Sequence, residues 1–233
     1  MKPGASRKTS VVYTHYTVYI RSVPRDPRQT RIRIIEAASK LFYSGGIRGV
    51  SIDAVAEKAG LTKRTLYYHF ESKDDLIAAY LDSRDQPNLK LFARWFAEAG
   101  GPLHAAVESL FTNLARSARH PKWKGCGFLR TAAELAATPG HPAIKAGARH
   151  KAGVEAWLAS VFGAEGVEGP GELARQIVIL MDGAFSAMLV HRDPSYIEAA
   201  GRAAAGLVRA ALRDSPGLSA RKLAKSGRRG NAI

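Results

Sequence analysis

The sequence has a single cysteine, Cys126, among 233 residues, and its 20 acidic residues are outnumbered by 35 lysines and arginines. One cysteine excludes an intrachain disulfide framework, which fits a reducing cytoplasm. No charged segment followed by an apolar run opens the chain, so we expect no secretory signal. The longest nearly apolar run, residues 177–190, is shorter than the roughly 20 residues that span a bilayer. We therefore expect a cytoplasmic protein without a membrane partner.

Motifs for catalysis and for metal binding are also lacking. The seven histidines are scattered, with no HxxxH pair and no cysteine close to them. No Ser-His-Asp order, glycine-rich phosphate loop or pair of catalytic carboxylates stands out. We therefore expect no enzyme activity, no cofactor and no metal.

The excess of basic residues lies mainly at the two ends of the chain. Residues 1–48 contain ten lysines and arginines against two acidic residues, and residues 214–233 contain five against one. Basic ends attract polyanions, either nucleic acid or an anionic membrane, but they also serve general solubility. Composition alone does not choose between these roles.

Residues 1–27 have the composition of a basic, disordered arm rich in proline, glycine and arginine. Within it, residues 11–20 alternate in the manner of a β-strand, but the rest of the chain offers no second strand. Regular helical patterning begins only near Arg28. We therefore expect residues 1–22 either to be disordered or not to be translated.

From Arg28 onward the apolar residues repeat with the period of a helix, which predicts an all-α fold of about nine helices. A first helix ends at the glycines of residues 44–46, and Ser51 and Thr62 are natural N-caps for the next two. Ser72 and Asp75 form a capping box for a fourth helix, predicted to run from 73 to about 85. Further helices, separated by Pro/Gly breaks, continue to about 213. Residues 214–233 are predicted to be a basic disordered tail.

Residues 51–70 have the lengths of a helix-turn-helix: a helix of eight residues, a turn at Gly60 and a short second helix. On the second helix Leu66 and Phe70 are four residues apart and are predicted to face inward. The outward residues are then Lys63, Arg64, Tyr67 and Tyr68. Lysine and arginine can reach base edges or phosphates, and tyrosine hydroxyls can bind phosphates. The spacing therefore favours a DNA-binding motif.

The segment GIRGVSIDAVAEKAGLTKRTLYYHFESKDDLIAAYL, residues 46–81, resembles the DNA-binding signature of the TetR family of bacterial one-component regulators, and the resemblance is strong over residues 28–82. It implies a helix-turn-helix domain of residues 28–75 and a set of DNA-contacting residues: Ser51, Thr62, Lys63, Arg64, Thr65, Tyr67, Tyr68, His69 and Lys73. Within this set, residues 62–64 would face the major groove, residues 67–69 would lie along the backbone, and Ser51 and Lys73 would contact phosphates. One departure is Val50, where the family usually has a hydroxyl residue.

Residues 76–213 resemble the ligand-binding and dimerisation domain of the same family. We predict that a ligand pocket is lined by Phe111, Cys126, Phe128, Glu134, Trp157 and Phe185. Glu134 has two interpretations: a ligand-recognising carboxylate, or a salt-bridge partner of Arg130. Cys126 likewise is either a small core residue or a redox sensor activated by its basic neighbours.

The penultimate helix is apolar nearly all round, so it must be covered on two sides. One side can face the domain core, and the other is covered either by a partner molecule or, if the helix is deeply buried in a monomer, by the same chain. We predict that a homodimer forms through this helix and the last one, in a four-helix contact. The residues predicted for the interface are Val178, Phe185, Leu189, Ala204 and Val208.

Together these features predict a homodimeric transcriptional repressor that a small-molecule effector releases from a pseudo-palindromic operator in double-stranded DNA. An activator, or a redox-sensing regulator acting through Cys126, is the alternative. A DNA-coating protein without sequence preference would explain the charge, but not the apolar helices beyond residue 100.

Overall fold

The computed structural model describes residues 26–214, which form nine α-helices and no strand. The all-α prediction is confirmed. The predicted basic arm with its strand candidate at 11–20, and the predicted tail beyond residue 214, lie outside the described residues. The helices are α1 (Pro27–Gly45), α2 (Ile52–Lys58), α3 (Lys63–His69), α4 (Lys73–Ala99), α5 (Leu103–Ala118), α6 (Gly127–Glu134), α7 (Pro142–Ala164), α8 (Pro170–His191) and α9 (Ser195–Asp214).

The predicted caps of the first helices are present. The Ser51 hydroxyl accepts a hydrogen bond from the Ala54 amide at 3.1 Å, and the Thr62 hydroxyl accepts one from the Thr65 amide at 3.1 Å. The Ser72 hydroxyl accepts from the Asp75 amide and donates to the Asp75 carboxylate, both at 3.0 Å. These side chains satisfy amides that have no acceptor inside their own helices, and so fix where α2, α3 and α4 begin.

Two hydrophobic cores organise the molecule. The first joins α1, α2, α3 and the first half of α4, and it also includes Phe128, Leu135, Ala143 and Ala146 from α6, α7 and the turn between them. The second core joins the other half of α4 with α5, α7, α8 and α9. The residues of α4 that directly follow the predicted domain boundary at residue 75 therefore belong to the first core, together with the helix-turn-helix.

Helix α4 is longer than predicted, because it continues through Pro87 to Ala99. A proline inside a helix removes one hydrogen bond and costs about 3 kcal/mol, which is why the sequence suggests an end near residue 85. Beyond the proline, Phe92 is buried in the second core and Leu89 and Trp95 pack against it. This burial offsets the cost, so one helix serves both cores.

Helix α8 is long and apolar enough to cross a membrane by length and composition, the one such helix between residues 26 and 214. The core helix of a globular protein passes the same test. Eight residues of α8 are buried against the second core, so its composition is accounted for by packing.

Candidate nucleic-acid interface and ligand cavity

The short helix α3 is anchored on one face. Leu66 and Phe70 are buried in the first core, as their spacing predicts. The turn before α3 passes through Gly60, whose φ of +63° lies in the left-handed region that glycine adopts without steric cost. Arg33 of α1 donates to the carbonyl of Ala59 at 2.6 Å and so holds the end of α2 beside this turn. These contacts fix helix α3 against the first core and leave its opposite face exposed to solvent.

The outward face of α3 carries the aromatic and basic residues predicted to meet DNA. Tyr67 and Tyr68 are exposed, Tyr68 by 81%, and the Tyr68 ring meets the His69 ring edge-on with centroids 5.3 Å apart. Arg64 is exposed and forms no ion pair within the described residues. Large exposed aromatics beside a free cation suit contact with a phosphate backbone and base edges.

Lys63 differs from Arg64, because its ammonium group lies 3.0 Å from the carboxylate of Asp53 in the first turn of α2. This hydrogen bond raises the pKa of Lys63. Sequence reasoning missed the pair, since it depends on the angle between α2 and α3, and no periodicity encodes that angle. A contact of Lys63 with DNA must therefore compete with Asp53.

The remaining predicted contact residues lie at helix starts. The hydroxyls of Thr62 and Thr65 are 2.8 Å apart, and the Ser51 hydroxyl caps α2. Lys73 is the first residue of α4 and has no ion pair in the part of the chain that the structure describes. Val50 is buried in the first core. Ser51, Thr62 and Lys73 thus lie at helix N-termini, which favour the binding of anions such as DNA phosphates.

A cavity of about 910 Å³ lies between α1, α4, α5, α7, α8 and the start of α6. This volume suits a small-molecule site. Three of the six residues predicted for a pocket line it: Cys126, Phe128 and Phe185. Phe111 is fully buried in the second core instead, and Trp157 packs edge-on against Phe96 with centroids 5.7 Å apart.

Glu134 also lies away from the cavity, and it does not pair with Arg130. Its carboxylate accepts a hydrogen bond from the Arg48 amide, at 3.0 Å, in the turn after α1. Arg130 donates to the carbonyl of Tyr43, at 2.8 Å, near the end of α1. Both side chains hold α6 against α1 of the predicted DNA-binding part (residues 28–75), because this face of α6 meets α1 rather than the cavity.

Several polar residues that sequence reasoning did not assign to a pocket line this cavity, among them Tyr80, Arg84 and His150. Burial raises the pKa of Tyr80 to about 12 and lowers the pKa of His150. The His150 imidazole lies 2.7 Å from the Asp85 carboxylate and stacks on Phe128 with ring centroids 3.8 Å apart. In the sequence Tyr80 matches the apolar stripe of α4, so nothing marks its hydroxyl as cavity-facing.

Four of the five residues predicted for a dimer interface are buried inside the single chain: Val178, Phe185, Ala204 and Val208. The fifth, Leu189, is partly buried. The apolar side chains that α8 and α9 leave exposed are others, including Ile179 (63% exposed) and Val190 (76%) on α8 and Leu207 on α9. The structure therefore turns four of the predicted residues toward the core of the chain itself, and because both sides of α8 are apolar, periodicity did not distinguish the two sides.

Comparison with known proteins gives a consistent result. A sequence model described as "Bacterial regulatory proteins, tetR family" matches residues 34–80. The HTH-type transcriptional regulator TtgR of Pseudomonas putida is 39% identical over 64 residues, which are 28% of this chain and 30% of TtgR. The chain thus matches less than a third of the length of this curated relative.

Solved structures extend the similarity to the whole described fold. SCO4454, a TetR-family transcriptional regulator from Streptomyces coelicolor, has a TM-score of 0.63 and 30% identity, over 81% of this chain and 96% of that one. A TetR regulator from Streptomyces avermitilis has a TM-score of 0.62 and 30% identity, over 78% of this chain and 97% of that one. The similarity therefore includes the helices that surround the cavity.

Proposed function

Because this chain belongs to the TetR family of transcriptional regulators, we propose that it is a homodimeric repressor that a small molecule releases from a pseudo-palindromic operator. Its class, a DNA-binding regulator of transcription, follows from family membership. One observation carries the proposal: the anchored helix α3 holds Arg64, Tyr67 and Tyr68 outward, with Arg64 unpaired. We propose that it acts in the cytoplasm and leaves its effector chemically unchanged.

Operator binding would place α3 of each subunit in one major groove. Arg64 at its start is the side chain best suited to a base edge, since Lys63 is paired with Asp53. Tyr67, Tyr68 and His69 follow along the helix, where hydroxyl and imidazole groups suit phosphates. Two such helices in a two-fold dimer read half-sites about 34 Å apart, which accounts for a pseudo-palindrome.

The dimer would form on the exposed faces of α8 and α9, which pack against each other. Ile179, Gly183 and Val190 recur along α8 at helical spacing, and all three are exposed. On α9, Ala203 and Leu207 recur in the same way, and small residues there permit close helix approach. A partner subunit would cover these apolar side chains and so remove them from water.

Release would follow from a ligand that prefers one arrangement of the two DNA-binding parts over another. Helix α4 lines the cavity with Arg84 and Phe92, and it carries Lys73 at its start. The start of α6 lines the same cavity, while its other residues hold α1. A ligand between α4 and α6 therefore contacts two of the helices that connect the cavity to the DNA-binding part.

Selection of bound fragments from genomic DNA, followed by titration of the selected sites, tests the proposal. We expect a pseudo-palindromic site and a saturable release from it by a small molecule. Tyr67→Phe should weaken binding to operator and non-operator DNA by similar factors, because a phosphate contact reads no sequence. Equal binding to all fragments would instead indicate a DNA-coating protein, and a Tyr67→Phe loss confined to one operator position would contradict the phosphate role.

A further inference from the structure

The cavity has one polar corner, at Tyr80. This residue is only 3% exposed, it borders the cavity, and its hydroxyl has no hydrogen-bond partner between residues 26 and 214. Three other hydroxyls of the wall are engaged: that of Tyr43 accepts from the Lys124 amide, and those of Ser83 and Ser117 donate to backbone carbonyls. The remaining one, Ser39 on α1, has no hydrogen bond among the described residues but is not buried as Tyr80 is. Because the Tyr80 hydroxyl borders the cavity and no protein group engages it, a molecule inside the cavity is its available hydrogen-bond partner.

The Tyr80 hydroxyl lies directly over the first residue of α6. A Cβ atom placed on Gly127 would be 2.8 Å from the Tyr80 oxygen, so only glycine permits this approach. The N-cap residue of α6, Cys126, makes no side-chain hydrogen bond to the helix. The first amides of a helix have no acceptors within it and carry a partial positive charge. Cys126, Gly127 and Phe128 all line the cavity, so this positive end borders it.

Positive charge lies at the same corner. Arg84, one turn beyond Tyr80 on α4, lines the cavity and forms no ion pair within the described residues. Lys151 also lines the cavity but is neutralised by an ion pair with Asp182. On the exposed face of α1, the wall has Glu36 and Lys40, whose charges are opposite. The uncompensated charge of the wall is therefore that of Arg84.

Much of the remaining wall is apolar and rich in aromatic rings. The large side chains that form it are Phe92, Trp95, Trp123, Phe128, Met181 and Phe185. Such a wall binds a hydrophobic body of aromatic or aliphatic character. The polar corner at its edge then determines which head group fits.

We propose that the cavity binds a hydrophobic organic anion, with a carboxylate head group against the Tyr80 hydroxyl, the start of α6 and Arg84. Its apolar body lies among the aromatic rings. The Arg84 guanidinium and the first amides of α6 can only donate hydrogen bonds, the Tyr80 hydroxyl can also donate, and an ionised carboxylate accepts with two oxygens. A carboxamide of the same shape has one acceptor oxygen instead of two and lacks the charge. This inference rests on the proposed function, since it specifies the effector class of the same cavity.

Displacement of a neutral dye tests the inference on the full-length protein. Nile red, an uncharged aromatic dye, is bound first, and biphenyl-4-carboxylate and biphenyl-4-carboxamide are then titrated separately at neutral pH. We expect the carboxylate to displace the dye at about a tenfold lower concentration, the range of one charge-assisted hydrogen bond. Tyr80→Phe and Arg84→Gln should each remove most of this preference. Ser117→Ala, which loses a wall hydroxyl that is already engaged, should keep it.

The outcomes separate the two proposals. Equal displacement by both probes would overturn the anion site while leaving a cavity for apolar ligands. Retention of the preference in both Tyr80→Phe and Arg84→Gln would overturn it as well, with circular dichroism verifying that the variants are folded. Failure of Nile red to bind would overturn both the anion site and the ligand cavity of the proposed function.

Discussion

Lys63 and Arg64 are neighbours in the sequence, yet the fold gives them different freedom. The ammonium group of Lys63 is held by Asp53, while Arg64 has no ion pair in the described part of the chain. A guanidinium can also donate two hydrogen bonds at once to the two acceptors on a guanine edge. A lysine ammonium group lacks this planar pair of donors and acts as a point charge. Arg64 is therefore the better candidate for base recognition.

Arg64→Ala should weaken operator binding by about 1–3 kcal/mol and relax the preference at one base pair. Lys63→Ala should cost less, because in the wild-type protein any contact of Lys63 with DNA must first break its ion pair with Asp53. Fluorescence anisotropy on the selected operator and its single-base variants measures both effects. Equal losses for the two variants, with unchanged base preference, would contradict this assignment.

His150 is a second residue whose environment sets its chemistry. Burial lowers its pKa, against the opposing hydrogen bond to Asp85, and the neighbouring Lys151 lowers it further while Asp182 opposes. The unfolded chain, with an ordinary histidine pKa of about 6.5, then binds more protons than the folded one. This residue therefore reduces the stability of the fold as the pH falls below about 6.5.

His150→Gln should flatten the fall in unfolding free energy between pH 7 and pH 5. One histidine can account for a slope of at most about 1.4 kcal/mol per pH unit. Urea unfolding of both proteins across this range measures the slopes. An unchanged slope in His150→Gln would assign the acid sensitivity to other groups.

At the scale of the element, α6 joins the cavity to the DNA-binding part. Its first residues line the cavity, and its last residue, Glu134, binds the Arg48 amide after α1. Arg130 reaches the carbonyl of Tyr43 from the middle of the same helix. A helix of eight residues that borders the cavity at one end and contacts the DNA-binding part at the other can transmit a small displacement.

Glu134→Ala should speed hydrogen exchange at the Arg48 amide, because its acceptor is lost. Glu134→Gln keeps an acceptor oxygen and serves as the matched control, so its exchange rate should change less. Amide-resolved hydrogen exchange measures both proteins. If Glu134→Ala leaves the Arg48 rate unchanged, the contact does not persist in solution.

The elements themselves were largely predictable, since caps and apolar periodicity are local properties. Ser51, Thr62 and Ser72 mark helix starts through bonds to amides three residues away, and the sequence displays that spacing. The end of α4 was not predictable, because the penalty of Pro87 is local while the packing of Phe92 that offsets it is not. The contact of Glu134 with Arg48 joins residues 86 positions apart, which no local pattern encodes.

At the scale of the whole molecule, the exposed apolar side chains of α8 and α9 are the feature on which the proposed dimer depends. Sequence reasoning found that α8 has two apolar sides but assigned Val178 and Phe185 to the partner. The structure turns them toward the core, because the rotation of a helix about its axis is set by its neighbours. When both sides are apolar, periodicity gives no preference between them.

Ile179→Glu should shift the protein from dimer to monomer, since a partner would have to bury an unpaired carboxylate at a cost of several kcal/mol. Operator affinity should fall as well, because a monomer reads a single half-site. Sedimentation velocity gives the mass of the variant and of Lys90→Glu, a control on the exposed side of α4 with the same final charge type. A dimeric Ile179→Glu protein would place the interface elsewhere.

The first core has a consequence for cooperativity. Phe128, Leu135, Ala143 and Ala146 complete the packing around α1 to α4, although they follow the helix-turn-helix by some fifty residues or more. A fragment that ends at residue 75 would leave this core open on one side and would also lack Leu76 to Leu81 of α4. We therefore expect the two cores to unfold as one unit rather than as two, so that a mutation that loosens either core lowers the stability of both.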